Sequence, residues 1–265
     1  MNSRIDQLFI NLKKDKQFAV IPFIPINWPG TDDTISIVET ALSAGADAIE
    51  LGIPFSDPLA DGATNQLAYQ EALKNGSKVD NLFKIVDKLR TRNVKKPLIA
   101  FSYFNPIYRY GIEKFMINAE VSGLDAIIIV DLPPEESIDF SQLAKKHKMH
   151  QIFLLAPNSN EKRIESVIKL ASGFLYCVSV AGTTGVRDNF STGLETFVNK
   201  IKTKTDIPII IGFGISKKEH IKFIKKIADG AVVGSAFVET IRNSNNENQR
   251  DMKISEFIHN LVEVD

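Results

Sequence analysis

Two acidic residues, Glu50 and Asp61, have the type and spacing that proton-transfer chemistry requires. Glu50 lies in an apolar run at 46–52. Because side chains alternate between the two faces of a strand, it shares a face with Ala48 and Gly52, whose small size leaves room for a ligand. A carboxylate that is partly removed from water has a raised pKa, which suits a group that both donates and accepts protons.

A structural ion pair is the alternative for a glutamate at the end of a strand. No Lys or Arg lies within any of the eight predicted strands, although Arg109 and Arg187 on loops could reach Glu50. For Asp61 the alternative is turn chemistry in an Asp-Gly pair, and turn chemistry is favoured for Asp57 before Pro58.

Asp131 ends a predicted strand, just before Pro133 and Pro134. It could be a helix cap, a ligand contact or a partner contact. The sequence leaves these three interpretations open.

Glycines follow the last three predicted strands at positions that suit a phosphate. Glycine lets backbone N–H groups approach an anion, and the start of a helix adds a favourable partial charge. In a barrel of strands and helices, these loops form the usual phosphate site, although turn chemistry alone also requires glycine. The residues concerned are Gly182, Thr183, Thr184, Gly185, Gly212, Gly214, Gly234 and Ser235.

Several other chemistries lack the residues they need. A Schiff-base mechanism would use a lysine on a strand, and none is present. The histidines, at 147, 150, 220 and 259, fall on helices or at the entry end of a strand, so no metal site is expected. No P-loop or dinucleotide fingerprint appears. Acid–base chemistry on a phosphorylated substrate, without a cofactor, is what remains.

The elements that must position these residues alternate along the whole chain. Each apolar run is followed by a helical pattern, which indicates parallel strands, and eight such units fit a closed (β/α)8 TIM barrel in one domain spanning 1–265. An extra amphipathic helix precedes the barrel. The predicted strands are 18–24, 46–52, 97–103, 124–130, 151–155, 173–179, 207–212 and 230–234.

The helical stretches show the 3–4 residue spacing of one buried face. In the first, Thr31 or Asp32 is the expected N-cap and Gly45 the expected stop. A short helix at 235–242 should follow the last strand, then a polar loop at 243–249 and a final helix at 251–262. The other predicted helices are 32–44, 78–92, 111–122, 135–147, 160–171, 190–203 and 216–227.

The composition narrows the class of protein. The chain has 265 residues, is 44% hydrophobic and carries 32 basic and 32 acidic residues, so it has no electrostatic reason to bind nucleic acid or an anionic membrane. No apolar run approaches the ~20 residues of a membrane span, and the N-terminus does not resemble a signal peptide. The single Cys177 is expected to pack in the core. A soluble, cytoplasmic protein is expected.

These motifs resemble the tryptophan synthase α chain. The most specific match is Glu50-Leu-Gly-Ile-Pro-Phe-Ser-Asp-Pro-Leu-Ala-Asp61-Gly, which includes both acids. One departure is Val180, where many relatives carry arginine. The other matches, in order, are Tyr103-Phe-Asn-Pro-Ile, Asp131-Leu-Pro-Pro-Glu-Glu-Ser, Ala156-Pro-Asn-Ser, Gly182-Thr-Thr-Gly185, Gly212-Phe-Gly-Ile-Ser and Gly234-Ser235.

The resemblance implies retro-aldol cleavage of indole-3-glycerol phosphate to indole and glyceraldehyde 3-phosphate. Glu50 would transfer the protons, Asp61 would accept the indole N–H, and Thr184 could hold Asp61 as its loop closes. An apolar slot for the indole would use residues that could equally be core. These are Phe23, Phe101, Ile128, Tyr176 and Phe213, with Tyr103 at the same end; Gly185, Gly214, Gly234 and Ser235 would hold the phosphate.

The resemblance also implies a partner, the pyridoxal-phosphate-bearing β chain, in an α2β2 heterotetramer. The segment at 53–58, with Pro54, Asp57 and Pro58, would lie against that partner. Two alternatives stay open. One is a different cofactor-free barrel acting on a sugar phosphate, such as an epimerase or isomerase. The other is a non-catalytic subunit that only activates a β chain.

Overall fold

A computed structural model describes residues 3–178, 187–212 and 218–263, without the side chains of 187–192. Its eight parallel strands pair in chain order, and β8 pairs with β1 to close the barrel, as the alternation predicted. The strands are β1 Ala19–Pro25, β2 Ile49–Gly52, β3 Leu98–Ser102, β4 Ala126–Ile129, β5 His150–Leu155, β6 Leu175–Val178, β7 Ile209–Gly212 and β8 Gly230–Val233.

Helices surround these strands because each has one apolar face that packs on the sheet. In the described part of the chain they are α1 Arg4–Asp15, α2 Thr31–Ser43, α3 Ala63–Lys74, α4 Val79–Thr91, α5 Phe104–Tyr110, α6 Ile112–Ser122, α7 Ile138–Lys146, α8 Glu161–Leu170, α9 Arg187–Lys202, α10 Lys218–Ile227, α11 Ser235–Arg242 and α12 Glu247–Val262. A 3-10 turn, Pro134–Glu136, precedes α7. None of the helices in these ranges is both long and apolar enough to cross a membrane.

Three expectations about helix ends need correction. The N-cap of α2 is Gly30, and Thr31 is already inside the helix, so neither Thr31 nor Asp32 is the cap. The segment at 243–249 is not a loop throughout. The Asn246 side chain accepts a hydrogen bond from the Gln249 N–H, and this cap starts α12 at Glu247, four residues earlier than the predicted 251.

Two helices, α3 and α5, were not predicted. In α3 the buried positions hold Ala68, Tyr69 and Ala72, whereas Leu67 and Leu73 are 45% and 36% exposed, so no leucine stripe marks the helix. The N-terminus of α5 is capped from outside. Asp131, just after β4, accepts a hydrogen bond from the Phe104 N–H at 2.7 Å. The structure therefore gives Asp131 the helix-cap role among its three possible roles.

An ion network stabilises the N-terminal end of the barrel. Asp125, which is 6% exposed, accepts hydrogen bonds from Arg4 at 2.9 Å, Arg90 at 2.5 Å and the Leu98 N–H at 2.8 Å. The Ser3 hydroxyl, which also caps α1, lies 2.6 Å from the His150 ring nitrogen. Asp125 precedes β4, and Leu98 and His150 are the first residues of β3 and β5, so these contacts lie where those strands begin.

Candidate active site

Glu50 occupies the inner face of β2, near the C-terminal end where the functional groups of such barrels lie. It pairs in register with Phe23 of β1 and Ile99 of β3. The side chain is 1% exposed, and neither carboxylate oxygen has a hydrogen-bond partner among the described residues. The two arginines expected on loops lie in helices instead, Arg109 in α5 and Arg187 at the start of α9. Arg109 is exposed, and the side chain of Arg187 lies outside the described residues.

Burial without a hydrogen-bond partner among the described residues determines the acidity of Glu50. Removal from water disfavours the charged carboxylate and raises the pKa of Glu50 well above its ordinary value, and the negative charge of Asp61 raises it further. Burial therefore favours the protonated form of Glu50 over the form that an exposed glutamate would take. This state is the one required of a group that first donates a proton and then takes one back.

Asp61 lies close to Glu50 but in different surroundings. It is 8% exposed, and its carboxylate accepts a 2.6 Å hydrogen bond from the Tyr103 hydroxyl and a longer one, 3.4 Å, from the Asn65 amide. Burial raises the pKa of Asp61, while the bonds from Tyr103 and Asn65 lower it in part. The two neighbouring carboxyls thus differ in their surroundings: hydrogen-bond donors stabilise the ionised form of Asp61, whereas Glu50 has no such donor among the described residues.

Tyr103 follows β3 and connects two parts of the site. Its hydroxyl donates to Asp61 and accepts a 2.9 Å hydrogen bond from the Ala60 N–H, so it fixes the loop as well as the carboxylate. Its ring lies 5.3 Å from the ring of Phe55. The sequence placed Tyr103 at this end of the barrel but gave no sign of its bond to Asp61.

An apolar group of side chains surrounds the two acids. Phe23 and Phe101 meet edge to face at 5.3 Å between ring centroids, and Ile128 pairs in register with Phe101. Tyr176 is 3% exposed and close enough to both acids that their charges help to raise the pKa of its hydroxyl. The structure thus brings together four of the five predicted slot residues; Phe213 lies outside the described residues.

The lack of side chains at two glycines makes room for this group. A Cβ on Gly52 would come within 2.6 Å of the Phe23 ring and 2.7 Å of the Tyr69 hydroxyl. A Cβ on Gly212 would overlap the Tyr176 hydroxyl. Glycine at these strand ends therefore allows aromatic side chains to occupy the mouth of the barrel.

The start of α11 forms the described half of the candidate phosphate site. Gly234 caps the helix and Ser235 is its first residue, exposed and with free N–H groups behind it. A Cβ on Gly62, next to Asp61, would lie 3.6 Å from the Ser235 hydroxyl, so the anion site and the acids are neighbours. Thr184, Gly185 and Gly214, together with Gly182, Thr183 and Val180, lie outside the described residues.

The segment predicted to meet a partner lies between β2 and Asp61. Pro54 and Pro58 are buried within this chain, whereas Asp57 is exposed. The neighbouring Leu59 is 92% exposed, an unusual position for a leucine.

Sequence reasoning missed two residues of the site, Asn65 and Tyr69. They are four positions apart on α3, so they share the helix face that covers the barrel mouth. Tyr69 is fully buried, and its hydroxyl has no hydrogen-bond partner in the part of the chain that the structure describes. Burial raises its pKa, and the charges of Asp61 and Glu50 raise it further. The sequence around Asn65 and Tyr69 lacks the regular spacing of apolar residues that predicts a helix, so neither residue could be assigned to a helix face.

The described residues include no group of three or more His, Cys, Asp or Glu side chains arranged to hold a metal ion. All four histidines lie on helices, at helix ends or at the first position of β5, as predicted.

The comparisons with known proteins agree with one another. The family model for the tryptophan synthase alpha chain matches residues 9–264. The chain is 42% identical to the tryptophan synthase alpha chain of a Thermoanaerobacter species over 99% of both chains, and 40% identical to that of Chloroflexus aggregans over 90% of both. The crystal structure of tryptophan synthase subunit alpha from Legionella pneumophila superposes with a TM-score of 0.92 at 30% identity and covers 100% of this chain and 98% of that one. The chain therefore belongs to the tryptophan synthase alpha chain family and is an enzyme of tryptophan biosynthesis.

Proposed function

We propose that this chain cleaves indole-3-glycerol phosphate to indole and glyceraldehyde 3-phosphate, as a carbon–carbon lyase that needs no cofactor of its own. The observation that carries the proposal is Glu50, a buried carboxyl that has no hydrogen-bond partner among the described residues, whose pKa is raised by burial and which lies beside the carboxyl of Asp61. Family membership supports the choice of substrate.

The proton on Glu50 moves to C3 of the indole ring, and positive charge then develops on the ring nitrogen. Asp61, held by Tyr103, accepts the indole N–H and stabilises that charge. The hydroxyl on the adjacent side-chain carbon returns its proton to Glu50 as the bond from C3 to that carbon breaks. The electron pair of the broken bond stays with the ring, so indole and the aldehyde leave with no net change in protons.

The rest of the site binds the two ends of the substrate. The aromatic group at Phe23, Phe101 and Tyr176 would hold the indole by stacking and edge contacts. Gly234 and Ser235, with Gly185 and Gly214, would hold the phosphate. Binding energy from the remote phosphate can then lower the barrier at the ring.

The partner belongs to the same proposal. A tryptophan synthase β chain, carrying pyridoxal phosphate, would receive the indole in an α2β2 assembly in the cytoplasm. Asp57 would form part of the contact, and the buried Pro54 and Pro58 would restrict the loop that carries it. In such an assembly the partner would cover Leu59, which lies beside them and is 92% exposed.

Assays of indole release test this function. The purified chain is incubated with indole-3-glycerol phosphate, with and without a β chain, and separately with ribulose phosphate. We expect indole from the first substrate and no turnover of the second. Turnover of ribulose phosphate alone would instead identify a sugar-phosphate isomerase or epimerase.

The Glu50→Gln variant separates catalysis from regulation. We expect it to lose nearly all indole release while it still binds and activates the β chain. Unchanged indole release in this variant would remove Glu50 from the mechanism, and wild-type chain that activates the β chain without cleaving substrate would show a purely regulatory subunit.

A further inference from the structure

Asn65 lies between the two acids and the anion site. It is the third residue of α3 and is 8% exposed. Its amide nitrogen lies 3.4 Å from an Asp61 oxygen and 3.5 Å from the position that a Cβ on Gly234 would take. A single side chain thus contacts the residue proposed to hold the indole and borders the residue proposed to hold the phosphate.

The orientation of the Asn65 amide follows from its neighbour. Asp61 is an acceptor when ionised, so the NH₂ group must face it and the carbonyl oxygen must face away. That oxygen, Oδ1, is shielded from solvent and has no hydrogen-bond partner among the described residues. A buried acceptor without a donor costs about 1–3 kcal/mol, so the described residues leave here an acceptor that a ligand could satisfy.

The proposed substrate brings a donor to this place. Its two-hydroxyl chain joins the indole ring to the phosphate, so it must pass between Asp61 and Gly234. Both Glu50 oxygens, like Asn65 Oδ1, are shielded from solvent and have no hydrogen-bond partner among the described residues. Hydroxyls are the donors that this chain carries.

We propose that Asn65 Oδ1 accepts a hydrogen bond from a hydroxyl of the glycerol chain, which makes Asn65 a specificity-determining residue for a hydroxylated linker. The inference rests on the proposed function, because the indole and phosphate positions define where the linker runs. A site that hydrogen-bonds a substrate hydroxyl discriminates against the analogue lacking it, because the buried acceptor is then left unpaired.

A comparison of two ligands tests this role. Binding is measured by calorimetry in a Glu50→Gln background, which prevents turnover, with indole-3-glycerol phosphate and with indole-3-propanol phosphate, which has no linker hydroxyl. Asn65→Leu keeps the shape of the side chain and removes both polar atoms. Loss of the bond to Asp61 affects both ligands, so the informative quantity is the ratio of their two Kd values.

We expect Asn65→Leu to weaken binding of indole-3-glycerol phosphate about 10-fold more than binding of indole-3-propanol phosphate. A difference of this size corresponds to the loss of one buried hydrogen bond. Equal weakening of both ligands would overturn the inference. Asn65→Ala should shift the ratio in the same direction and serves if the leucine variant does not fold. Binding of neither ligand by the parent would instead overturn the proposed function.

Gln70→Leu is the matched control. Gln70 is exposed on the same helix, so the variant makes the same amide-to-alkyl change away from the site. Its Kd ratio should equal that of the parent. A shift in this control as large as that in Asn65→Leu would show that α3 as a whole, and not the Asn65 oxygen, sets the preference.

Discussion

The Tyr103 hydroxyl donates a 2.6 Å hydrogen bond to Asp61, although the two residues are 42 positions apart and follow different strands. The bond fixes the direction of the carboxylate that, in the proposed reaction, accepts the indole N–H. It also opposes the effect of burial on the pKa of Asp61. Tyr103 therefore acts on both the position and the charge of Asp61.

Tyr103→Phe should lower kcat/KM for indole release by about 10- to 100-fold, because a hydrogen bond to a charged group contributes about 1.5–3 kcal/mol. Without this donor the pKa of Asp61 rises. Activity that requires the Asp61 anion is then lost at a higher pH as the solution is acidified. The measurement is a pH profile of kcat/KM, and an acid limb that does not move would contradict the assignment.

Asp61→Asn should move the opposite limb. The charge of Asp61 is one cause of the raised pKa of Glu50, so its removal lowers that pKa, and the protonated acid is lost at a lower pH as the solution becomes alkaline. Activity falls strongly, and inorganic phosphate binding, measured by calorimetry, should stay nearly constant. A collapse in phosphate affinity would show that Asp61 belongs to the anion site.

Glu50→Gln should stabilise the fold at neutral pH. In the folded chain Glu50 keeps its proton above the ordinary value of 4.5, whereas the unfolded chain releases it near that value, so wild-type stability falls as the pH rises from 4.5 to the folded pKa. Glutamine does not titrate and lacks this loss. The difference in Tm between variant and wild type should therefore grow from pH 4.5 upward; a constant difference would indicate an ordinary pKa.

Gly52→Ala should damage the site without changing any charge. The added methyl overlaps the Phe23 ring and approaches the Tyr69 hydroxyl, and overpacking of this kind costs about 1–3 kcal/mol. We expect a lower Tm and weaker binding of indole ligands. Gly76→Ala is the control, because Gly76 has a positive φ, which strains the alanine backbone, but open space around an added Cβ. This variant should leave indole binding unchanged.

Asp125→Ala should destabilise the chain by about 3–5 kcal/mol, because it leaves the half-buried Arg90 without its partner. The lesion lies far from the acids, so kcat per folded molecule should be unchanged. Denaturant unfolding gives the first quantity and active-site titration the second. A fall in kcat would mean that the two ends of the barrel are coupled.

The sequence predicted the barrel from the alternation of apolar runs and helical patterns along the chain, and it predicted the position of Glu50 from the alternation of side chains along a strand. Two-residue periodicity shows which face a residue takes, and Glu50 indeed faces inward. It does not show contacts between loops, such as Tyr103 with Asp61. It also missed α3, whose buried face holds Asn65 and Tyr69 in place of leucines. The buried positions of α3 hold small, polar or aromatic side chains, so the helix lacks the stripe of aliphatic residues from which helices are predicted.

The Asp125 network has a practical consequence for protein engineering. Asp125, Arg4 and Arg90 form their ion network where β3 and β4 begin, whereas Asp61 and Tyr103 lie beyond the ends of their strands. Residues around the mouth of the barrel can therefore be randomised without changing this network. Libraries directed at Asn65 and its neighbours should thus yield mostly foldable variants. This barrel is a suitable starting scaffold for lyases that accept altered linkers between an aromatic ring and a phosphate.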